Sequence, residues 1–313
     1  MPFSHHSHSG QFCADHARDS LDDVIQTAMA KGMAVFALTE HMPRHEQDRY
    51  PGETATLEMH YANEAAYVAE ALRLRQKYKD RIGLPLGFEG EWIRPESEDL
   101  IKRSLETHPY DFFIGSVHHV HTIPIDYDHA MYKEARSKAG GTDERIFEDY
   151  FDAQFAMLQT LRPPVVGHFD LIRLKSDDPN QSFKPMRGVW ARISRNLDCV
   201  AEYGGILEIN SAAVRKGMDE PYPKAEICEA ALERGIRFCL SDDSHGVDQV
   251  AHSYPRVLEL LEKVGIKSVT FLSHREREAG AAQPSPVHDH HFPTLYTEQI
   301  GLKELREHRF WGQ

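Results

Sequence analysis

Short segments rich in β-branched and aromatic residues alternate along most of this chain with longer stretches whose apolar residues recur at helical spacing. No other feature restricts its fold as much, because repeated βα units bury a parallel sheet beneath helices. The spacing predicts strands near 2–6, 34–39, 84–88, 112–117, 164–168, 205–209 and 236–241, and an extra one near 268–272. A first helix is capped by Asp19 or Ser20, carries Leu21, Val24, Ile25, Ala28 and Met29 on one stripe, and ends at Gly32. Further helices fit residues 58–79, 143–161 (with Ile146, Phe147, Tyr150, Phe151, Phe155 and Leu158) and a stretch begun by Pro223. A length of 313 residues suits a single β/α barrel with enlarged loops. Long polar connections at 42–57, 122–142 and 174–187 would leave the face of such a barrel where active sites are built.

Composition excludes several classes. A net charge of -13 with no basic stripe argues against nucleic acid as a partner. No apolar run approaches the ~20 residues of a membrane span, so no membrane partner is expected. The start, MPFSHHSHSGQF, lacks a basic region followed by an apolar one, so a cytosolic protein is expected. Cys13, Cys199, Cys228 and Cys239 are far apart with no CxxC pair, so neither a zinc ribbon nor a redox motif is expected. The sequence carries no signal for oligomeric state. Segment 274–293, with His288-Asp289-His290-His291, reads as an exposed connection to a C-terminal tail, dividing the chain into a barrel over 1–273 and a tail over 274–313 that packs on it.

The unusual number is 20 histidines, and their placement matters more than their count. His6 and His8 end the first strand two residues apart, so both imidazoles point to one side. Thr39-Glu40-His41 ends the second strand, Gly87-Phe88-Glu89 the third, Ser116-Val117-His118-His119 the fourth and Gly167-His168-Phe169-Asp170 the fifth. The seventh ends in Ser241-Asp242-Asp243-Ser244-His245, where Asp243 and His245 again share parity. A single histidine after a strand is usually structural. Six of seven strands carrying His, Asp or Glu at the same end is not something packing asks for, and in a β/α barrel those ends converge on one pocket. Imidazoles and carboxylates together suit zinc, iron or manganese. The candidates exceed one ion's needs, so two or three divalent ions are expected, roughly 3.5–4 Å apart, with Glu89 and Asp243 able to bridge.

The stretches HHSHSG, LTEHMPR, GFEGE, GSVHHVHTIPIDYD, VVGHFDLIRL, LEINSAAVRKG, EPYP and LSDDSHGVDQV, in that order, resemble the polymerase-and-histidinol-phosphatase (PHP) superfamily nearly end to end. The likeness is closest to its monofunctional histidinol-phosphatase branch. The resemblance implies an α/β fold of the PHP type, a distorted TIM-like (β/α)7 barrel, with metals at its C-terminal mouth. It implies His6, His8, His16, His41, Glu89, His118, His168, Asp243 and His245 as ligands, with Asp15 an alternative to His16. Parity and adjacency leave Glu91 open beside Glu89, and His119 open beside His118. Asp242 and Asp170 are candidates for orienting imidazoles, or for local caps.

A phosphoric monoester hydrolase acting on a small phosphate ester follows from the resemblance, with L-histidinol phosphate the best-fitting substrate. A hydroxide held by the cluster, with Glu89, Asp243 and His245 around it, would attack phosphorus in line. Arg215, Arg173 and Asn210 are the candidates for binding substrate, arginine because its forked donors suit phosphate. Two rivals remain open on sequence alone: a phosphoesterase of the same superfamily acting on another ester, and a noncatalytic metal-binding module of the same fold.

Overall fold

The structure, a computed structural model, describes residues 2–274, 292, 294–308 and 310. In chain order its first half runs β1 (Phe3–Ser4), α1 (Leu21–Ala30), β2 (Val35–Phe36), α2 (Leu57–Tyr78), β3 (Glu89–Glu91), α3 (Ser97–Thr107), β4 (Ile114–Ser116), β5 (His119–Val120), β6 (Ile123–Pro124), α4 (His129–Lys138) and α5 (Asp143–Leu161). The second half adds β7 (Val165–Val166), α6 (Arg187–Tyr203), β8 (Ile206–Asn210), α7 (Ala212–Arg215), α8 (Ala225–Glu233), β9 (Arg237–Ser241), α9 (Tyr254–Val264), β10 (Ser268–His274), β11 (Leu295–Gly301) and α10 (Leu302–Glu307).

Five strands form one parallel sheet in the order β3-β4-β7-β8-β9, and β1 pairs in parallel with β2. Isolated parallel bridges Val35–Gly83, Leu38–Leu86 and His41–Glu89 carry β2 onto the chain entering β3. On the other side the His5 N–H donates to the Leu240 carbonyl at 3.0 Å and Ser7 bridges to Ser244, joining β1 to β9. The strands therefore close in a ring, β1-β2-β3-β4-β7-β8-β9, which is the distorted (β/α)7 barrel expected. Distortion comes from short strands joined in part by single bridges, so their ends splay.

Local chemistry explains the elements. Ser20 caps α1 in a reciprocal box with Asp23, and the buried Leu21, Val24, Ile25 and Ala28 form its sheet-facing stripe. The lysine after it and Gly32, at φ 81°, end the helix where only glycine turns left-handed without strain. Thr56 and Thr142 cap α2 and α5 in the same way, each accepting from the backbone three residues on. At Gly167 a Cβ would collide with Ser116 Oγ on the neighbouring strand, so close strand approach demands glycine there.

Three expectations need correction. The connection at 122–142 is not irregular: it contains β6 and α4, the latter capped by Asp128, and its weak apolar stripe hid the helix among charges. The helix after Pro223 begins at Ala225; Pro223 follows a cis peptide bond and lies outside it. The division after residue 273 cuts through a hairpin, since β10 runs on to His274 and pairs antiparallel with β11 from Ser268↔Gly301 to His274↔Leu295. Most of the expected connection, including His288-Asp289-His290-His291, lies outside the described residues. Among the described residues no helix is long and apolar enough to cross a membrane. The cysteines are all free; Cys228 and Cys239 are buried, Cys13 and Cys199 half-buried.

The hairpin lies at the end of the barrel opposite the histidines. Phe271 meets Phe3 at the start of β1, Thr297 accepts from Arg237 at the start of β9, and His274 and Thr294 reach Asp111 ahead of β4. Asp111 is the pin. Its buried carboxylate accepts from Arg75, from the Leu86 N–H at 2.8 Å and from Thr294 Oγ1 at 2.8 Å, with His274 Nδ1 also 2.8 Å away. Burial pushes this carboxyl up, but the His274 hydrogen bond and the Arg75 charge outweigh burial and hold it below the usual value. Asp111→Asn is expected to destabilise the protein by ~3 kcal/mol at neutral pH, as breaking a buried ion pair does. Because the folded-state value is depressed, this contribution is present above the unfolded carboxyl's ~3.9 and lost as pH falls below it. Thermal unfolding of both proteins should therefore show a gap near neutrality that narrows below about pH 4; equal stability at pH 7 would refute the role.

Candidate metal centre

The ring brings together side chains that the sequence scatters from His6 to His245. His6 and His8 leave β1, His41 follows β2, Glu89 opens β3, His118 follows β4, His168 follows β7, and Asp243 and His245 follow β9. Three groups have donor atoms all within 4.8 Å of one another: His8, His41 and His245; His6, His8 and Glu89; and Glu89, His118 and His168. Sharing His8 and Glu89 makes them one continuous cluster. Asp243 Oδ1 joins it, 3.5 Å from His8 Nε2, 3.7 Å from His6 Nε2 and 3.6 Å from His245 Nδ1. His16 lies at its rim, exposed, with its ring 4.4 Å from that of His245 and 5.6 Å from that of His41. It belongs to none of the three groups, and Asp15 is exposed beside it.

The structure also separates the pairs that parity could not. Glu89 faces the cluster with both oxygens, whereas Glu91 Oε1 lies 2.8 Å from His118 Nδ1 and 3.3 Å from the Tyr50 hydroxyl. His118 turns inward, its Nε2 3.1 Å from His168 Nε2, while His119 turns toward Tyr50 with ring centroids 5.4 Å apart.

Electrostatics show a pocket built for positive charge. Burial pushes the Glu89 carboxyl up, yet the charges of His6 and His118 with hydrogen bonds from His118 and His168 hold it well below the carboxylate range. Burial lowers His6, and Glu208, Asp243 and Glu89 together more than reverse this. His41, by contrast, is lowered to about 3 by burial and by the neighbouring His8 charge. Carboxylates this deep need compensating cations.

Several buried ring nitrogens have no hydrogen-bond partner among the described residues: His6 Nε2, both of His8, His41 Nδ1 and His245 Nε2. Native proteins rarely leave buried polar atoms so, and an ion is one recognised reason. His118 Nε2 and His168 Nε2 face each other at 3.1 Å and lie 3.3 and 2.9 Å from Glu89 Oε1, a set of atoms that one cation could share. The residues present thus fit bound metal. Imidazole and carboxylate donors without cysteine suit zinc, manganese or iron, and the cluster's position at an open barrel mouth suits catalysis rather than structure.

Carboxylates behind the ligands are what sequence reasoning missed. Glu208 on β8, the strand that carries no ligand, lies 3.0 Å from His6 Nδ1 and accepts from the His168 N–H at 2.5 Å, from Ser241 Oγ and from Asn210 Nδ2. It fixes the His6 tautomer so that Nε2 faces the cluster, as Glu91 does for His118. The visible signal was the parity of Glu208 and Asn210 on one strand face. Asp242 and Asp170 orient no imidazole. Asp242 accepts from Ser4 Oγ, Ser244 N–H and Ala251 N–H, pinning the turn after β9, and Asp170 pairs with Arg173 and accepts from the Lys224 N–H.

Two substrate-binding expectations are overturned. Arg173 is 1% exposed and spends every donor inside the protein: on Asp170, Met218 Sδ and the carbonyls of Pro179, Glu220 and Pro221. No donor is left for phosphate. Asn210 is buried too; its amide donates to Glu208 and toward Asp243, and its oxygen accepts from the Ala212 N–H. Arg215 is different. Half-buried, it donates to the carbonyls of Asp242 and Asp243, both at 2.8 Å, and keeps its remaining N–H groups. Asp243 sits at φ 48°, a left-handed conformation that aspartate tolerates better than most non-glycine residues, and these bonds tie down the carbonyls before and after its Cα.

Comparison with known proteins shows the family and the fold. Residues 4–212 match the family described as PHP domain. Over 275 residues the chain is 44% identical to a protein of Schizosaccharomyces pombe named "Probable histidinol-phosphatase", covering 87% of this chain and 90% of that one. It is 32% identical over 299 residues to the histidinol-phosphatase of Saccharomyces cerevisiae, covering 83% and 88%. Among solved structures, histidinol phosphate phosphatase of Lactococcus lactis, complexed with zinc, L-histidinol and phosphate, matches with a TM-score of 0.68 at 22% identity over 87% of this chain and 96% of that one.

Proposed function

The chain belongs to the PHP domain family, and from that premise we propose that it is a histidinol-phosphatase, hydrolysing L-histidinol phosphate to L-histidinol and inorganic phosphate with two or three zinc, iron or manganese ions. The observation that carries this is the convergence of His6, His8, His41, Glu89, His118, His168, Asp243 and His245 on one pocket in a chain so similar to named histidinol-phosphatases.

Metal ions bound there supply positive charge that neutralises a phosphoryl group, and they acidify water to a nucleophile at neutral pH. The chain's own residues do the rest. Glu89, with one oxygen toward His41 and the other toward His168, would hold metal from both sides of the cluster. Glu208 and Glu91 keep His6 and His118 turned inward. Arg215 ties down the Asp242 and Asp243 carbonyls, and its remaining N–H groups, unbonded among the described residues, would be the donors for a phosphate at the mouth. The closed wall of strands behind the cluster keeps bulk water out, which strengthens each of these interactions.

Purified protein analysed for metals and assayed for phosphate release is expected to turn over L-histidinol phosphate, to lose that activity on chelation, and to regain it with added zinc, manganese or iron. Fully metallated protein that releases no phosphate from L-histidinol phosphate would defeat the substrate assignment and favour a phosphoesterase of another specificity.

A further inference from the structure

Resting on the histidinol phosphate reading, we propose that Asp126 is the residue that binds the ammonium group of the substrate. The β5–β6 hairpin leaves the barrel mouth directly after His118 and returns, because the Ile125 N–H donates to the His118 carbonyl at 2.9 Å. Asp126 is therefore delivered beside the metal ligands, not onto them. Its Oδ1 is buried without a hydrogen-bond partner, and among the described residues it forms no ion pair. Following β6, it stands on the hairpin that carries His119, whose ring packs 5.4 Å from that of Tyr50 of the 42–57 loop, and its negative charge is among the influences on both.

Glu40 Oε2 and Glu91 Oε2 are likewise buried without a hydrogen bond, but each neighbouring carboxylate has a partner at its other oxygen. Glu53 pairs with His60 at 3.1 Å, Glu91 holds His118, and Glu40 accepts from the N–H and hydroxyl of Ser9. A second, independent sign of an unfilled polar site stands next to Asp126. His119 is 2% exposed and neither of its ring nitrogens has a partner. Tyr50 packs against both His119 and the half-exposed Tyr127, at 5.4 and 5.9 Å between rings, giving the site an aromatic wall suited to a flat heterocycle.

Substrate chemistry supplies the occupant. The ester oxygen of an amino-alcohol phosphate is two carbons from its ammonium group, so a phosphate on the metals must place that cation beside the cluster. Asp126 is half-buried, and its buried Oδ1, with no cation beside it among the described residues, is costly unless a ligand provides one.

The test compares L-histidinol phosphate with its deamino analogue, 3-(imidazol-4-yl)propyl phosphate, in the metal-loaded protein and in Asp126→Asn. The wild-type preference in kcat/KM for the aminated ester is expected to fall about 10- to 150-fold in Asp126→Asn, the range for a lost charged hydrogen bond. Inhibition by L-histidinol should weaken by a similar factor while inhibition by inorganic phosphate and metal content persist. Asp126→Glu, which keeps the charge, should retain part of the preference. An unchanged preference in Asp126→Asn overturns the proposal, as does loss of metal and phosphate inhibition along with it. If wild type releases phosphate from L-histidinol phosphate, only the Asp126 assignment falls; if it does not, the functional reading falls with it.

Discussion

Replacing Glu89 by glutamine is expected to lower turnover of L-histidinol phosphate roughly a thousandfold and to strip metal from the protein, without unfolding it. Glu89 Oε2 lies 3.0 Å from His41 Nδ1, 3.4 Å from His6 Nε2 and 3.6 Å from His8 Nε2; Oε1 lies 2.9 Å from His168 Nε2 and 3.3 Å from His118 Nε2. Among the described residues no other carboxylate reaches both sets of imidazoles. An amide of the same shape keeps the packing but removes the charge, and it turns one end into a donor that cannot ligate. Metal catalysis supplies several kcal/mol of charge stabilisation, and ~1.4 kcal/mol is tenfold in rate, which sets the thousandfold scale. Metal analysis and kinetics on one preparation decide the matter. Glu89→Gln that kept its full metal complement and activity would show that Glu89 does not hold metal.

Arg173→Ala is expected to act on stability rather than on substrate affinity. The guanidinium is sealed inside, bonded to Asp170 and to carbonyls of two separate loops, at Pro179 and at Glu220–Pro221. Removing it leaves a fully buried carboxylate that burial already pushes above its usual value, with the Arg173 charge the main influence opposing that rise. Breaking such a pair costs roughly 3–5 kcal/mol, on the order of 10 °C in melting temperature for a chain of this size. Arg173→Lys should not rescue it, since one ammonium cannot serve five directions. A variant that melts like wild type but shows only a raised KM would restore the phosphate-binding role that the burial of Arg173 argues against.

These two residues mark the limit of what a linear reading reaches. Both sit in motifs that point to function, GFEGE and VVGHFDLIRL, and both have the right chemistry for a phosphatase site. Glu89 faces the cluster. Arg173, five residues past His168, turns away from it into the protein. The chain within about one element fixes parity, caps and periodicity, so His6 with His8, the Ser20 cap, and the helices at 57–78 and 143–161 were legible. What occupies the space opposite an element was not.

By itself, then, the sequence determined that strands alternate with helices, that their ends carry imidazoles and carboxylates on one side, and hence that side chains able to bind metal gather where a β/α ring closes. Only the tertiary structure decided between Glu89 and Glu91 and between His118 and His119, set Glu208 and Glu91 behind the imidazoles, withdrew Arg173 and Asn210 from the substrate, and left Asp126 without a partner. The physical reason is that a side chain's direction follows from backbone geometry a few residues long, whereas its role depends on which groups from distant strands arrive to satisfy it. Burial then makes that meeting decisive, because a polar atom in the interior must be paired by something.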